Sequence, residues 1–192
     1  MRETVSPAIP RYANTRPYQT IPFQWSDHIL YEGKTVEQQE YLCEQDKDPR
    51  NEFALTLLHA LGSKGTIFTY TTYEKGIISE LAECFPEYRD QLIATLDRFK
   101  DLYLLIRKHF YHPGFHGSFS LKSVLPALVP DMNYKTLAIQ EGSQASFDYL
   151  RMLDPFILSG EKRRIKKDLL NYCGYDTLAM VKIREELLKL FH

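Results

Sequence analysis

Strand-like and helical patterns occupy different parts of the chain, and this separation most limits the folds open to it. Apolar and polar residues alternate in "FQWSDHILY", residues 23–31, and "GTIFTY", residues 65–70, is typical of a short buried strand. From residue 71 to residue 190 the periodicity is almost entirely helical. Few strands followed by many helices predict an α/β domain of α+β character, with a small sheet near the N-terminus and a helix-rich C-terminal half.

Turn and cap signals divide these patterns further. Residues 5–22 contain four prolines and no period, which predicts a long ordered loop. "EGK", residues 32–34, predicts a turn into a second, antiparallel strand. Asp48 and Pro49 indicate the start of a helix that ends at Gly62. Further helical segments are predicted at about 71–85, 87–110, 120–129, 142–153, 160–172 and onward to 190.

Composition narrows the class of protein. The 192 residues are 44% hydrophobic and 13% aromatic, so residues 1–192 can form one domain with a substantial core. The net charge of -1 provides no overall attraction to nucleic acid, and any polyanion must be held by a local patch. Three scattered cysteines without a CxxC pair favour a reducing, cytoplasmic setting and no zinc site. No apolar run approaches the roughly 20 residues of a membrane span.

Three acidic residues stand at positions where sheet edges and helix starts converge. Glu3 lies near the end of a possible first strand, and Glu74 lies in the first turn of the helix that follows residues 65–70. Asp176 lies one helical turn after Tyr172, on the same face. Converging carboxylates are tolerated around a divalent cation, and oxygen ligands suit Mg²⁺ or Mn²⁺.

Each of these residues also has an ordinary interpretation. The helix dipole alone favours Glu74 in a first turn. Tyr172 can be a core residue whose hydroxyl reaches the surface, and Glu3 can be a solvated terminal residue. The metal interpretation therefore depends on the order in which the three carboxylates and the tyrosine occur.

Cations and rings interleave in two polar segments that are candidates for binding single-stranded nucleic acid. The proline-rich loop carries Arg11, Tyr12, Arg16 and Tyr18, which suit phosphate contact and base stacking. The segment "YHPGFHGSFSLK" carries His116 and Lys122. The alternatives are tyrosines that pack onto the sheet and histidines that form hydrogen bonds within their loop. "EKRRIKKD", residues 161–168, is interpreted as a solvated helix face or a phosphate-contacting patch.

Four long stretches carry a family resemblance that covers nearly the whole chain. They are "ETVSPAIPRYANTRPYQTIPFQWS", "GTIFTYTTYEKGIISELA", "LIRKHFYHPGFHGSFSLKSVLPALVP" and "YCGYDTLAMVKI". On these residues the chain resembles the DUF2779 family, a ribonuclease H-like group similar to the DEDD 3′–5′ exonucleases. The resemblance implies a mixed sheet of about five strands flanked by helices. It also implies metal-dependent hydrolysis of phosphodiesters from the 3′ end of single-stranded DNA or RNA.

The resemblance assigns roles to the four residues. Glu3 matches the glutamate of the first Asp-x-Glu motif, and Glu74 matches the acid of the second motif. Tyr172 and Asp176 match the third motif, Tyr-x3-Asp, in which the tyrosine positions the attacking water. These catalytic residues would hold Mg²⁺ or Mn²⁺ through Glu3, Glu74 and Asp176.

Two positions depart from the motifs. Glu74 stands where an aspartate is usual, and Met1 stands where the first aspartate is expected; a methionine is a poor ligand for a hard cation. We therefore expect a C-terminal fragment of a longer protein, lacking most of its first strand and following a Cas4/RecB-like nuclease region. The alternative is an inactive module that binds nucleic acid or docks on a nuclease, and a third, weaker one is a purely structural scaffold.

Overall fold

The computed structural model describes residues 1–31 and 34–190. Within these residues there are five strands: β1 (Arg2–Val5), β2 (Ile21–Tyr31), β3 (Lys34–Leu42), β4 (Ile67–Thr69) and β5 (Phe99–Asp101). The α-helices are α1 (Arg50–Leu61), α2 (Tyr73–Cys84), α3 (Arg89–Leu96), α4 (Leu102–His109), α5 (Leu121–Leu128), α6 (Gly142–Met152) and α7 (Ser159–Lys189). Short 3-10 helices span Pro86–Tyr88, Pro113–Phe115 and Tyr134–Thr136.

The strands form two sheets. β1, β2 and β3 pair antiparallel in that order, and β4 pairs with β5 in parallel. The predicted mixture of strands and helices is confirmed. Because the described strands form a three-stranded and a two-stranded sheet, a single mixed sheet of about five strands is not shown. The turn predicted at "EGK" falls mainly on Glu32 and Gly33, which lie outside the described residues.

β2 contains a β-bulge, and residues at and just after it face the two opposite sides of the larger sheet. The pairing register shifts between Glu3 and Thr4, which leaves Phe23 without a partner on β1. Phe23 stacks on Tyr149 of α6, with ring centroids 3.7 Å apart and planes at 5°. Trp25 lies on the other face and donates a hydrogen bond to Thr56 of α1. Helices therefore cover both faces of this sheet, each over its own apolar cluster.

The C-terminal half contains one departure from the predicted elements. The helix predicted over 160–172 and onward to 190 is present as α7, which is continuous through Gly174. β5 replaces part of a predicted helix; three residues are too few to show a period, and pairing with β4 decides their conformation. Among the residues that the structure describes, no helix has both the length and the apolarity of a membrane span.

Candidate active site

Glu3 reaches the site from the middle of β1. It lies opposite Gln24 of β2, and the side chain of Gln24 donates to the main-chain oxygen of Leu169 on α7. Directly paired residues point to the same face of a sheet, so Glu3 faces α7 as well. Only 8% of Glu3 is exposed.

Glu74 enters the same region from the first turn of α2. It is 2% exposed, and its Oε2 atom is buried with no hydrogen-bond partner among the residues that the structure describes. The Arg2 Nη1 atom donates to the main-chain oxygen of Glu74 at 2.9 Å, which ties the start of α2 to β1. The helix dipole favours a carboxylate in this first turn, but it does not explain why the buried Glu74 Oε2 atom lacks a described hydrogen-bond partner.

α7 supplies Tyr172 and Asp176, which are both buried and one turn apart. The three acids Glu3, Glu74 and Asp176 are therefore contributed by a strand and two helices that are distant in sequence. The predicted residues therefore come into one neighbourhood, in which each carboxylate influences another.

That mutual influence appears in the protonation of the site. Burial, together with the negative charges of Asp176 and Glu74, raises the pKa of Glu3 to about 8. Burial also raises the pKa of Asp176 to about 6, with a contribution from Glu74. At neutral pH and without a cation, Glu3 is therefore largely neutral and Asp176 largely ionised.

Tyr134, which the sequence analysis did not identify, is the hydrogen-bond partner of Asp176. Its hydroxyl donates to Asp176 Oδ1 at 2.5 Å, and this bond opposes the rise in the pKa of Asp176. The Tyr134 ring packs edge-on against Tyr172, with centroids 6.4 Å apart. Tyr134 lies in a short 3-10 helix without apolar periodicity, so only its spatial proximity reveals the role.

Two positive groups act on this cluster, the N-terminal ammonium of Met1 and the side chain of Lys122. Its Nζ atom lies 5.6 Å from the Tyr134 ring centroid and 5.9 Å from that of Tyr172. Its charge lowers the pKa of both Glu3 and Asp176. A residue predicted to contact nucleic acid thus lies beside the candidate carboxylates, at the start of α5.

In their present positions, the described side chains of the cluster are not arranged as metal ligands. Among the described residues, no group of three or more histidine, cysteine, aspartate or glutamate side chains is arranged to hold a metal ion. The donor chemistry is nevertheless suitable, because the cluster offers carboxylate oxygens, and the Oε2 atom of Glu74 has no hydrogen-bond partner in the described part of the chain.

The cations of the proline-rich loop lie near acids. Arg11 forms a two-pronged ion pair with Asp46, at 2.9 and 2.8 Å. Tyr12 is half-buried against the core, with its hydroxyl 3.5 Å from Asp46. Arg16 is exposed and lines a shallow hollow with Glu80 and Glu83 of α2.

The remaining predicted contacts are exposed. Tyr18 is 72% exposed and, with φ of 58°, adopts the left-handed conformation. His116 is also exposed with a left-handed backbone, and it lines a hollow with Ser118 and Lys122. These residues are accessible to a ligand, and their role in nucleic-acid binding stays a prediction.

Comparison with known proteins identifies the family. Residues 2–120 match the family described as "Domain of unknown function (DUF2779)". The chain belongs to the DUF2779 family. The match includes Glu3 and Glu74 but ends before Tyr134, Tyr172 and Asp176. Neither a search of curated proteins nor a search of solved structures found a match to this DUF2779 chain.

Proposed function

We propose that this DUF2779 chain is a ribonuclease H-like domain of the DEDD exonuclease type. In this proposal, Glu3, Glu74 and Asp176 bind Mg²⁺ or Mn²⁺, and the domain hydrolyses phosphodiesters from the 3′ end of single-stranded DNA or RNA. The observation that carries the proposal is the burial of three carboxylates from β1, α2 and α7 in one neighbourhood, where burial and the charges of Asp176 and Glu74 raise the pKa of Glu3.

The chemistry of the cluster supports a cation. Burying acids together is unfavourable unless a positive group or a proton compensates them, and here Glu3 carries the proton. A divalent cation would replace that proton and use the free Oε2 atom of Glu74. When bound, such ions activate a water and stabilise the leaving oxygen of a phosphodiester.

The other polar groups of the cluster have roles that follow from their contacts. Tyr134 holds Asp176 in one orientation through its hydroxyl. Tyr172 faces the same carboxylates and is the residue assigned to position the attacking water. Lys122 is placed to attract a phosphate toward the acids, since its ammonium group lies over both tyrosine rings. Binding must also rearrange the carboxylates, because their present arrangement is not a ligand set.

Cleavage of an end-labelled oligonucleotide tests the proposal. Single-stranded DNA and RNA with a 5′ label are incubated with Mn²⁺ and the chain, a Met1→Asp variant, or Met1→Asp combined with Asp176→Asn. We expect a ladder of products shortened from the 3′ end with Met1→Asp, weak or no cleavage with methionine at position 1, and none with Asp176→Asn. Glu74→Gln is tested in the Met1→Asp background as well, with Glu83→Gln, on the exposed part of α2, as its matched control. Absence of cleavage by Met1→Asp, or full cleavage by its Asp176→Asn derivative, contradicts the proposal.

An inactive module that binds nucleic acid or docks on a nuclease is the second candidate. Two observations favour it: methionine occupies the position of the first motif's aspartate, and no described acidic group is ready to hold a metal. Fluorescence anisotropy with the same oligonucleotides in EDTA separates the two functions. Micromolar binding that Arg16→Ala and Lys122→Ala weaken, without cleavage by any variant in Mn²⁺, supports the inactive nucleic-acid-binding module.

A further inference from the structure

A groove of about 750 Å³ runs along α7 beside the outer edge of β3. β3 is the last strand in the order of the described three-stranded sheet. The groove is lined by a stripe of α7 from Arg163 to Leu178, by Leu137, and by Gln38 and Glu40 of β3. We propose that this groove binds an extended acidic segment of a partner protein, which joins the sheet as a strand beside β3.

The main chain of β3 identifies the kind of partner. The N–H of Cys43 donates to the main-chain oxygen of Phe23 at 2.9 Å, so residue 43 and the odd-numbered residues before it direct their main chain to β2. The N–H and C=O groups of Gln38 and Glu40 consequently point to the outer edge, where no described strand pairs with them. An extended polypeptide satisfies both kinds of group, whereas a phosphodiester backbone lacks the alternating donors. The edge therefore favours a protein segment over a nucleic acid.

Cations at one end of the groove determine the charge of the occupant. Arg163 and Lys167 are exposed and one helical turn apart on α7, and like charges at this spacing destabilise a helix. Among the described residues these two form no ion pair, whereas Lys166 pairs with Glu44 at 2.7 Å. Glu40 is the acidic residue of the lining, and the three cations outweigh it. Carboxylates of a bound segment would offset this excess of positive charge.

The other end of the groove is apolar. Lys166 lies beside Glu44 and Gly174 lies beside the Gln38 side chain, so α7 runs antiparallel to β3. The stripe on α7 ends at Leu178, and two further leucines belong to the lining. Its length is about 22 Å, which corresponds to about six to seven residues of extended chain. The segment that fits is therefore acidic in one half and apolar in the other.

Labelled peptides added to the chain in EDTA test this inference. The probe has about eight residues, with acids in one half and valine or isoleucine in the other, alternating with threonine, and it is made in both orders. We expect at least one order to bind and to slow amide exchange of Gln38 and Glu40 roughly tenfold or more. Exchange of Gln39, which already faces β2, should change little. Absence of binding by both orders, or binding without slower exchange at Gln38 and Glu40, overturns the proposal.

Modified peptides separate strand pairing from attraction between charges. N-methylation of alternate residues removes the N–H donors from one edge of an extended peptide, and the two alternate sets affect opposite edges. We expect one set to abolish binding and the other to preserve it. A peptide with lysines in place of the acids should not bind. Equal effects of the two methylated sets, or equal binding of the lysine peptide, contradict the proposed strand.

Two arginines that are adjacent in sequence provide a matched pair of variants. Arg163 lines the groove, whereas the Arg164 side chain is 67% exposed and lies outside the lining. Arg163→Glu should weaken peptide binding about fivefold or more, and Arg164→Glu, with the same change of charge, less than about twofold. Asp176→Asn should leave binding unchanged, so the result does not depend on the proposed nuclease activity. Equal weakening by the two arginine variants contradicts a groove-bound segment.

Two other occupants give results that reject the partner segment. A single-stranded oligonucleotide that displaces the peptide, and that loses affinity with Arg163→Glu, identifies the groove as a phosphate site. Protection of Gln38 and Glu40 that appears without peptide, at protein concentrations where sedimentation shows dimers, means that a second copy of the chain pairs with β3.

Discussion

At the scale of residues, the protonation of Glu3 determines how the cluster responds to pH. Its pKa is about 8 in the folded chain, against an ordinary value of 4.5. Between these values the folded state holds a proton that the unfolded state has lost, so stability falls as pH rises and its loss is complete above pH 8. The contribution of Asp176 ends near pH 6, its folded pKa. Burial lowers the pKa of His28 from its ordinary 6.5, which opposes the effect of Glu3 only at the lower end of the interval from pH 6 to 8.

Glu3→Gln should therefore flatten the dependence of stability on pH. In EDTA, we expect the free energy of unfolding of the parent chain to fall by as much as about 1.4 kcal/mol per pH unit between pH 6 and 8, and that of Glu3→Gln to change much less. Urea unfolding at pH 6, 7 and 8 measures the difference. Glu83→Gln, which removes an exposed glutamate, should follow the parent. Parallel slopes for Glu3→Gln and the parent would disprove the assigned protonation.

Tyr134→Phe should raise the pKa of Asp176 further. The variant removes the hydroxyl that donates to Asp176 Oδ1, and hydrogen bonds to charged groups contribute about 1.5–3 kcal/mol. The expected shift is about one to two pKa units upward, measured by carbon NMR of the carboxyl group. Tyr175→Phe is the matched control, because the Tyr175 hydroxyl donates to the main-chain oxygen of Asn133. Equal shifts in both variants would mean that the rings, and not the hydroxyl of Tyr134, control Asp176.

At the scale of elements, sequence patterns predict regular segments well and their contacts poorly. The helix that ends at Gly62 and the strand that ends at Tyr31 are recovered nearly to the residue, because local caps and alternation decide them. α7 runs on through Gly174, since burial keeps the helix continuous where glycine weakens its local propensity. Tyr134 escapes detection because its role depends on a contact 42 residues away.

Gly174→Ala should stabilise α7. Glycine inside a helix is about 1 kcal/mol less favourable than alanine. An added Cβ would lie 2.5 Å from Gln38 Nε2, which is the mobile end of an exposed side chain and can turn away. We expect a gain of about 0.5 kcal/mol in the free energy of unfolding, measured in urea, rising toward 1 kcal/mol when Gln38→Ala removes the clash. A loss of stability in both backgrounds would show that β3 itself, rather than the Gln38 side chain, restricts the position.

At the scale of the whole molecule, the candidate site joins parts of the chain that fold on different faces of the sheet. Glu3 belongs to β1, Glu74 follows β4, and Asp176 lies near the C-terminal end of the chain. The residue types and their order predict that these acids meet, and their use as a metal site stays a prediction. The protonation of Glu3 could not be predicted, because it depends on which side chains exclude water.

Cation binding should consequently stabilise the entire domain and release protons. A ligand that bridges β1, α2 and α7 binds the folded chain and not the unfolded one, so Mn²⁺ at ten times its dissociation constant should add about 1.4 kcal/mol to the free energy of unfolding. At pH 7 Glu3 must lose its proton to become a ligand, so close to one proton is released per site and affinity rises toward pH 8. Calorimetric titration in two buffers of different ionisation enthalpy measures this number. Asp176→Asn should lose the thermal stabilisation by Mn²⁺, whereas binding without proton release would place the ion away from Glu3.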